Sequence, residues 1–304
     1  MPNQPGICEP LAPGIRRILA PNPSPMTLHG TNSYLVGTGE VALIDPGPND
    51  PAHARALMAA LDAGERITHI FVTHAHLDHS PLAREMAAAL NIRTHAFGPA
   101  TAGRSPLMEA LAQNGTLAGG EGIDFEFTPD VVLSCGDVLT HGDWALEAIH
   151  TPGHLGNHLC FAMQDPEDSA RDVLFSGDHV MGWASSLVSP PDGDMAAYMA
   201  ATRRLAARDW SVIHSGHGDP ILDPAARLAF LIAHRESREA GILAELSKGT
   251  ATITELTAAL YAQTPPALHP AAARNILAHL LDLTAQARVT ADPAPGPAAR
   301  YALA

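Results

Sequence analysis

Thr73-His74-Ala75-His76-Leu77-Asp78-His79 crowds three imidazoles and a carboxylate into one short run. It follows Ile67–Val72 (ITHIFV), a β-branched, apolar stretch suited to a strand buried on both faces. It precedes Ser80-Pro81, a cap-and-proline signal that opens a helix over Leu82–Leu90. The chain must therefore end a buried strand in a polar corner and turn at once into a helix. Neutral imidazoles bind zinc through one nitrogen while the other donates to a supporting group. Alternation along an extended segment turns positions 74 and 76 to the same side, as a shared ion requires. Asp78 and His79 fall where the chain bends, and so can face a second ion.

Further candidates again stand at the ends of predicted strands. Thr151-Pro-Gly-His154 follows Trp144–Ile149, Ser176-Gly-Asp178 follows Val173–Phe175, and Ser215-Gly-His217 follows Trp210–His214. Small residues beside each allow close backbone approach. Together with residues 74–79 they complete two sets of ligands. Asn32–Val36 and Val41–Ile44 read as a hairpin across Gly37-Thr38-Gly39, and Asp50-Pro51 opens a helix to about Asp62. With strand Leu159–Met163 and helix Met195–Ala207, the pattern gives two βαβ-like halves. That predicts an α/β chain built as an αββα sandwich. The pattern fails between Phe97 and Gly122 apart from a short helix around Leu107–Leu111, and we read this stretch as a lid over the site.

From about Arg235 the order becomes helix, helix, helix, hairpin. Glu236–Leu246 ends at Gly249, Thr252-Ile-Thr-Glu255 is a capping box, Pro270 opens a helix over Ala271–Ala287, and Pro293–Pro297 separates two short strands. That is a winged-helix order, so the expected division is 1–232 and 233–304. Arg235, Arg238, Lys248, Arg274, Arg288 and Arg300 balance six acidic residues in the second part, so the formal charge of -14 belongs to the first. A module that reads DNA carries a basic stripe on its third helix. Here that helix has only Arg274, with Arg288 just beyond it, which favours docking or dimer support.

The acidic balance opposes nonspecific binding to nucleic acid or to anionic membranes. Lys248 is the only lysine, which argues against Schiff-base chemistry, whereas seventeen histidines favour metal chemistry. Cys8, Cys135 and Cys160 lie far apart, with no C-x-x-C pair, and read as free thiols. No signal peptide or apolar run long enough to span a bilayer is visible, so a cytoplasmic protein without membrane association is expected.

Asp45 in Leu-Ile-Asp-Pro-Gly, the His-x-His-x-Asp-His run, Thr-Pro-Gly-His154, Gly-Asp178 and Gly-His217 occur in the order seen in the metallo-β-lactamase superfamily, which this chain resembles. The resemblance implies that His74, His76 and His154 bind one metal and Asp78, His79 and His217 a second. It also implies that Asp178 bridges the two, with Asp45 ordering the ligands from behind. The implied cofactor is Zn2+, two ions, with iron or manganese as alternatives. Thr31–Val36, Ser215–Pro220 and the winged-helix tail look like the lactamase-β-like, endoribonuclease-type group.

The expected activity is a hydrolase in which a metal-bound hydroxide, oriented by Asp78, attacks an ester, thioester or phosphoester. The expected partner is a small-molecule substrate, with RNA and a second copy of the chain as further possibilities. The alternatives are a single-strand-specific endoribonuclease, an iron-dependent sulfur dioxygenase and a regulatory winged-helix protein with an idle site. His179 and His29 read equally as pocket or loop residues, and His158 as a support or surface group. Trp183 and residues 189–194 are expected at the substrate rim.

Overall fold

The apolar runs do become strands and the capped segments helices, in a computed structural model describing residues 3–115, 117, 119–164 and 172–304. In chain order the first part contains β1 (Cys8–Ala12), β2 (Ile15–Leu19), β3 (Asn32–Val36), β4 (Glu40–Ile44), α1 (Pro51–Ala59), β5 (Arg66–Phe71), α2 (Pro81–Leu90), β6 (Arg93–Ala96), α3 (Pro106–Gln113) and β7 (Val131–Val132). Then follow β8 (Val138–His141), β9 (Trp144–His150), β10 (Leu159–Met163), β11 (Val173–Gly177), α4 (Met195–Ala206) and β12 (Val212–Ser215). The remainder is α5 (Pro224–Leu246), β13 (Ala251–Thr252), α6 (Ile253–Leu260), α7 (His269–Ala285), β14 (Val289–Asp292) and β15 (Arg300–Leu303).

Strands β1 to β7 form one sheet in chain order, antiparallel as far as β4 and parallel from β4 to β7. The second sheet runs β12-β11-β10-β9-β8, parallel only between β11 and β12. Their facing sides interleave aromatic rings: Phe71 lies 5.1 Å from Phe161 and 5.8 Å from Trp144, and Tyr34 lies 5.2 Å from Phe175. Leu57, Leu82 and Met86 of α1 and α2 cover the outer face of the first sheet. Leu205, Leu228 and Leu231 of α4 and α5 cover that of the second. The layers are helix, sheet, sheet, helix. The expected αββα sandwich is therefore found, with the winged-helix elements after it.

Local signals explain most element ends. Asp50 accepts from the amides of Ala52 and His53, and Thr252 and Glu255 form the reciprocal capping box. Ser80 departs from expectation. Its backbone is already helical, and its buried hydroxyl turns to Asp124 Oδ2 (2.8 Å) and the His76 carbonyl (3.1 Å) instead of capping α2. Helix α5 also starts well before Glu236, because Asp223-Pro224 repeats the signal used at Asp50-Pro51 and Asp223 accepts from the Ala226 amide. It runs without a break past position 232. Strands β1, β2, β6, β7 and β8 go beyond the elements expected from the pattern.

The irregular 97–122 stretch has a definite anchor. Met108 and Leu111 of α3, with Leu117, enter the apolar core formed by Ile242, Leu256, Ile276, Leu280 and Tyr301. The segment is thus pinned to the winged-helix elements at one end, and it crosses the mouth of the site described below.

Tyr34 ties the two sheets together at the site end: its hydroxyl donates to the Ser215 carbonyl at 2.6 Å, next to Asn32 Nδ2 at 3.0 Å from the same oxygen. Burial pushes the phenol well above its ordinary pKa, so it stays a donor. Tyr34→Phe should lower the unfolding free energy by about 1–1.5 kcal/mol, measured by urea denaturation.

Candidate metal centre

Each candidate ligand leaves the C-terminal end of a strand or the turn that follows it, where the ladder no longer occupies the backbone. His74 and His76 follow β5, His154 follows β9, Asp178 follows β11 and His217 follows β12. The backbone over 74–79 is bent rather than extended, with His76 making an isolated bridge to Ile123. His74 and His76 nevertheless converge, ring centroids 4.6 Å apart.

The ligand atoms form two sets. His74, His76, His154 and Asp178 each offer one atom, all within 4.8 Å of one another, and so do Asp78, His79 and His217. In the first set His76 Nδ1 lies 2.8 Å from His74 Nε2 and 3.1 Å from His154 Nε2. Asp178 Oδ2 lies 3.9 and 3.6 Å from the same two imidazole nitrogens. Ligands of a tetrahedral zinc, each about 2.0–2.1 Å from the ion, stand about 3.3–3.4 Å apart, so these separations bracket the required spacing. In the second set Asp78 Oδ2 lies 3.4 Å from His79 Nε2 and 3.2 Å from His217 Nε2. Asp178 joins the sets, with Oδ1 3.5 Å from His79 Nε2 and Oδ2 3.3 Å from His217 Nε2.

The opposite ring atoms are fixed by acceptors. His79 Nδ1 meets Asp45 Oδ2 at 2.8 Å, His154 Nδ1 the Leu187 carbonyl at 2.7 Å and His217 Nδ1 the Gly30 carbonyl at 3.1 Å. His74 Nδ1 meets the Thr73 hydroxyl at 2.9 Å, and that hydroxyl donates to Asp45 Oδ2 at 2.7 Å. With Nδ1–H donated, the Nε2 lone pairs of these four rings are left for the centre. Asp45 also accepts from the Thr73 amide at 2.7 Å. It does so from a left-handed backbone (φ 49°), unusual for a residue with a side chain.

A cation fits this arrangement. His79 Nε2 and Asp178 Oδ1 are buried and have no hydrogen-bond partner, although they face each other. Such atoms are costly in a protein interior unless something binds them. Burial and crowding by neighbouring imidazoles hold His74 well below its usual pKa; burial first, then the His154 ring, brings His76 down to about 3. Both are neutral and ready to donate a lone pair. In the second set burial opposes protonation, but Asp178, Asp78 and Asp45 outweigh it at His79, and Asp178 chiefly brings His217 up to about 9. The carboxylates thus favour protonation of this set, and a divalent cation would compete with that proton.

Glycines give the centre room. A Cβ at Gly216 would sit 2.5 Å from Asp178 Oδ1, and one at Gly177 (φ 47°) 2.7 Å from His158 Nε2. His158 itself stays behind the centre: its Nε2 accepts from the Asp178 amide at 3.2 Å and its Nδ1 meets the Thr151 hydroxyl at 2.8 Å. His179 is buried against Tyr198 and Thr202, and His29 is exposed.

Above the ligands lies a cavity of about 200 Å³ whose lining includes His76, Asp78, His154, Asp178 and His217. Met26, Thr27 and residues 119–123 close other sides, and Ser189 and Asp192 reach it as anticipated for the 189–194 loop. Trp183 is not among its lining residues and packs beside Gly218. Two contributions escape a reading of the sequence. Thr31 donates to Asp78 Oδ2 at 3.1 Å; its place in Thr-Asn-Ser-Tyr is the available signal. Arg274, from α7, also lines the cavity.

Arg274 Nη1 donates to the Pro190 carbonyl at 3.3 Å, and the other basic residues of 233–304 have partners too. Arg288 pairs with Glu239, Arg300 with Glu255 and Lys248 with Glu245. Arg238 donates to the Leu260 carbonyl, and Arg235 is buried. No basic stripe is offered to nucleic acid among the described residues.

Comparison with known proteins agrees with the geometry. The metallo-beta-lactamase superfamily pattern matches residues 26–217, and that of the beta-lactamase associated winged helix domain matches residues 252–296. The thioesterase pkgB of Emericella nidulans is 31% identical over 252 residues, 81% of this chain and 63% of that protein. The atrochrysone carboxyl ACP thioesterase AgnL7 of Paecilomyces divaricatus is 29% identical over 245 residues, 79% of this chain and 67% of that protein. A metallo-beta-lactamase family protein from Thermus thermophilus, known by crystal structure, is 27% identical with a TM-score of 0.72, covering 97% of this chain and 100% of that one. No helix among the described residues is long and apolar enough to cross a membrane. With its paired ligand sets and a match across most of the first part, the chain belongs to the metallo-beta-lactamase superfamily.

Proposed function

We propose that this metal-dependent hydrolase cleaves an acyl thioester at a dinuclear zinc centre. His74, His76 and His154 hold one ion, Asp78, His79 and His217 the other, and Asp178 both. The division into a catalytic part, 1–232, and a winged-helix part, 233–304, belongs to the same reading. The observation that carries it is the convergence of seven candidate ligand atoms, in two sets joined at Asp178, five of whose residues line one cavity. The names of two relatives supply the substrate class.

Cations bound there supply Lewis acidity toward a water and toward an acyl carbonyl. The chain's own groups do the rest. Asp78, held by Thr31, presents a carboxylate oxygen to the cavity and orients the attacking water. The imidazoles are neutral donors, so only Asp78 and Asp178 would offset the charge of bound cations, and the remainder would favour an oxyanion.

The acid–base inventory of the cavity favours a thiol leaving group. Asp192 accepts from Arg104 (2.7 Å) and the Gly120 amide (2.7 Å), so it is committed to structure. Thr27 and Ser189 are neutral hydroxyls, and Glu121 lies at the exposed rim. A thiol, with an unperturbed pKa of about 8.5, departs as thiolate without a strong proton donor. An alkoxide or a ribose hydroxyl does not. Arg274 is the only Lys or Arg among the described lining residues, and its Nη1 donates to the Pro190 carbonyl at 3.3 Å, beside the 189–194 rim.

Zinc-loaded protein should hydrolyse an acyl-pantetheine thioester faster than the matching oxygen ester, and chelation should abolish the reaction. Faster cleavage of single-stranded RNA, or of the oxygen ester, would overturn the thioester assignment. His76→Ala should abolish hydrolysis and remove one bound equivalent, measured by metal analysis after gel filtration. Asp45→Asn, which weakens the acceptor for His79 Nδ1 and Thr73, should lower the affinity for one equivalent by about 10–100-fold in a competition titration.

A further inference from the structure

We propose that Asn275 of α7 and Arg235 of α5 are positioning residues of the metal centre, acting on His154 through the 186–188 segment. This rests on the reading of His154 as a ligand.

The connection runs through named atoms. Arg235 of α5 is 1% exposed, and its Nη2 donates to the Ser186 carbonyl while Nη1 donates to Asn275 Oδ1 at 3.0 Å. Asn275 of α7 uses the same Oδ1 to accept the Val188 amide at 3.2 Å, and its Nδ2 donates to the Ala271 carbonyl at 3.1 Å. The amide therefore has a defined orientation, with its oxygen toward the 186–188 segment. Residues 186 and 188 are both fixed in this way. The carbonyl between them, on Leu187, is the one that accepts from His154 Nδ1 at 2.7 Å. It sets the His154 tautomer and directs Nε2 toward His76 Nδ1 and Asp178 Oδ2.

Two further contacts make the segment rigid. The Val188 side chain is fully buried with Met195, Tyr198 and Met199 of α4 and Ala278 of α7. The Ser186 hydroxyl donates to the carbonyls of Asp178 and His179, so the segment also braces the backbone of the residue shared by both ligand sets. A buried guanidinium is an unfavourable way to dock two helices, because an apolar pair of similar volume packs at least as well. Here its fork reaches a carbonyl and an amide oxygen at once, and the Arg235 guanidinium lies 5.2 Å from the Tyr198 ring centre. Geometry, rather than burial alone, is what this pair supplies. The winged-helix part is then a structural component of the centre.

The test uses full-length apo-protein titrated with zinc against a chromophoric chelator, and with cobalt(II), whose visible absorption reports ligand geometry. Asn275→Leu removes the oxygen that accepts both donors, whereas Asn275→Asp keeps it. In Asn275→Leu we expect roughly ten-fold weaker binding of the equivalent that His154→Ala also weakens, with an altered cobalt band. Asn275→Asp should stay near wild type in both. Should Asn275→Leu fail to fold by circular dichroism, Asn275→Ser and Arg235→Gln carry the same comparison. A folded Asn275→Leu or Asn275→Ser with wild-type affinity and cobalt spectrum overturns the inference and leaves the metal centre intact. Wild-type binding in His154→Ala instead removes His154 from the centre, and the inference fails with it.

Discussion

Two carboxylates and five imidazoles face one another in a corner largely closed to water. Each ring nitrogen or carboxylate oxygen that points inward competes for the same small volume, and buried His79 Nε2 and Asp178 Oδ1 make no hydrogen bond among the described residues. Charge interactions at a few ångströms in such a medium are far stronger than in water. The fold has to hold these groups in place without their collapsing onto one another. It does so by pinning the opposite side of four of the rings: Asp45 behind His79, Leu187 behind His154, Gly30 behind His217 and Thr73 behind His74.

The sandwich exists to bring those pins together. Phe71, Phe161, Trp144 and Phe175 lock the two sheets face to face, and the chain ends of β4, β5, β9, β11 and β12 then open at one rim. Candidate ligands from one sheet meet those from the other only because the interleaved rings set the spacing between the layers. Close packing makes that spacing stiff. At the rim the backbone runs out of ladder partners, so Asp45 can adopt a left-handed conformation and Gly216 can let Asp178 pass within contact distance.

Much of this is readable from residue order because the ligands are local to strand ends. Asp45-Pro-Gly, Gly-His154, Gly-Asp178 and Gly-His217 each pair a metal-compatible side chain with a small neighbour after an apolar run, and they converge with the 74–79 cluster as that pattern suggests. The departures involve groups whose partners are distant. Ser80 looks like a cap until Asp124 is found beside its hydroxyl. Strand β2 is hidden by Arg16 and Arg17, and Arg17 is tolerated at 2% exposure because Glu9 and the Gly218 carbonyl receive its guanidinium. Helix α5 begins earlier than its periodicity suggests because Asp223-Pro224 supplies its start from within an apparent loop. Such pairings carry no periodicity. They are set when the layers close.

The same distinction explains the second part of the chain. Its helix order and capping box at Thr252 are local, and they are legible as a winged helix. What that module does is not local. Arg235, Arg274 and Asn275 look like ordinary helix residues with a balanced charge, yet Arg235 and Asn275 point inward to the 186–188 segment and Arg274 reaches the cavity. A surface that binds nucleic acid would cluster its arginines without acidic partners beside them. Arg288 and Arg300 are instead paired with Glu239 and Glu255, and α3 from the first part is buried in the module's own core. The winged helix is thus continuous with the hydrolase in packing, polar contacts and cavity wall. Its basic residues are best understood by what they hold in place.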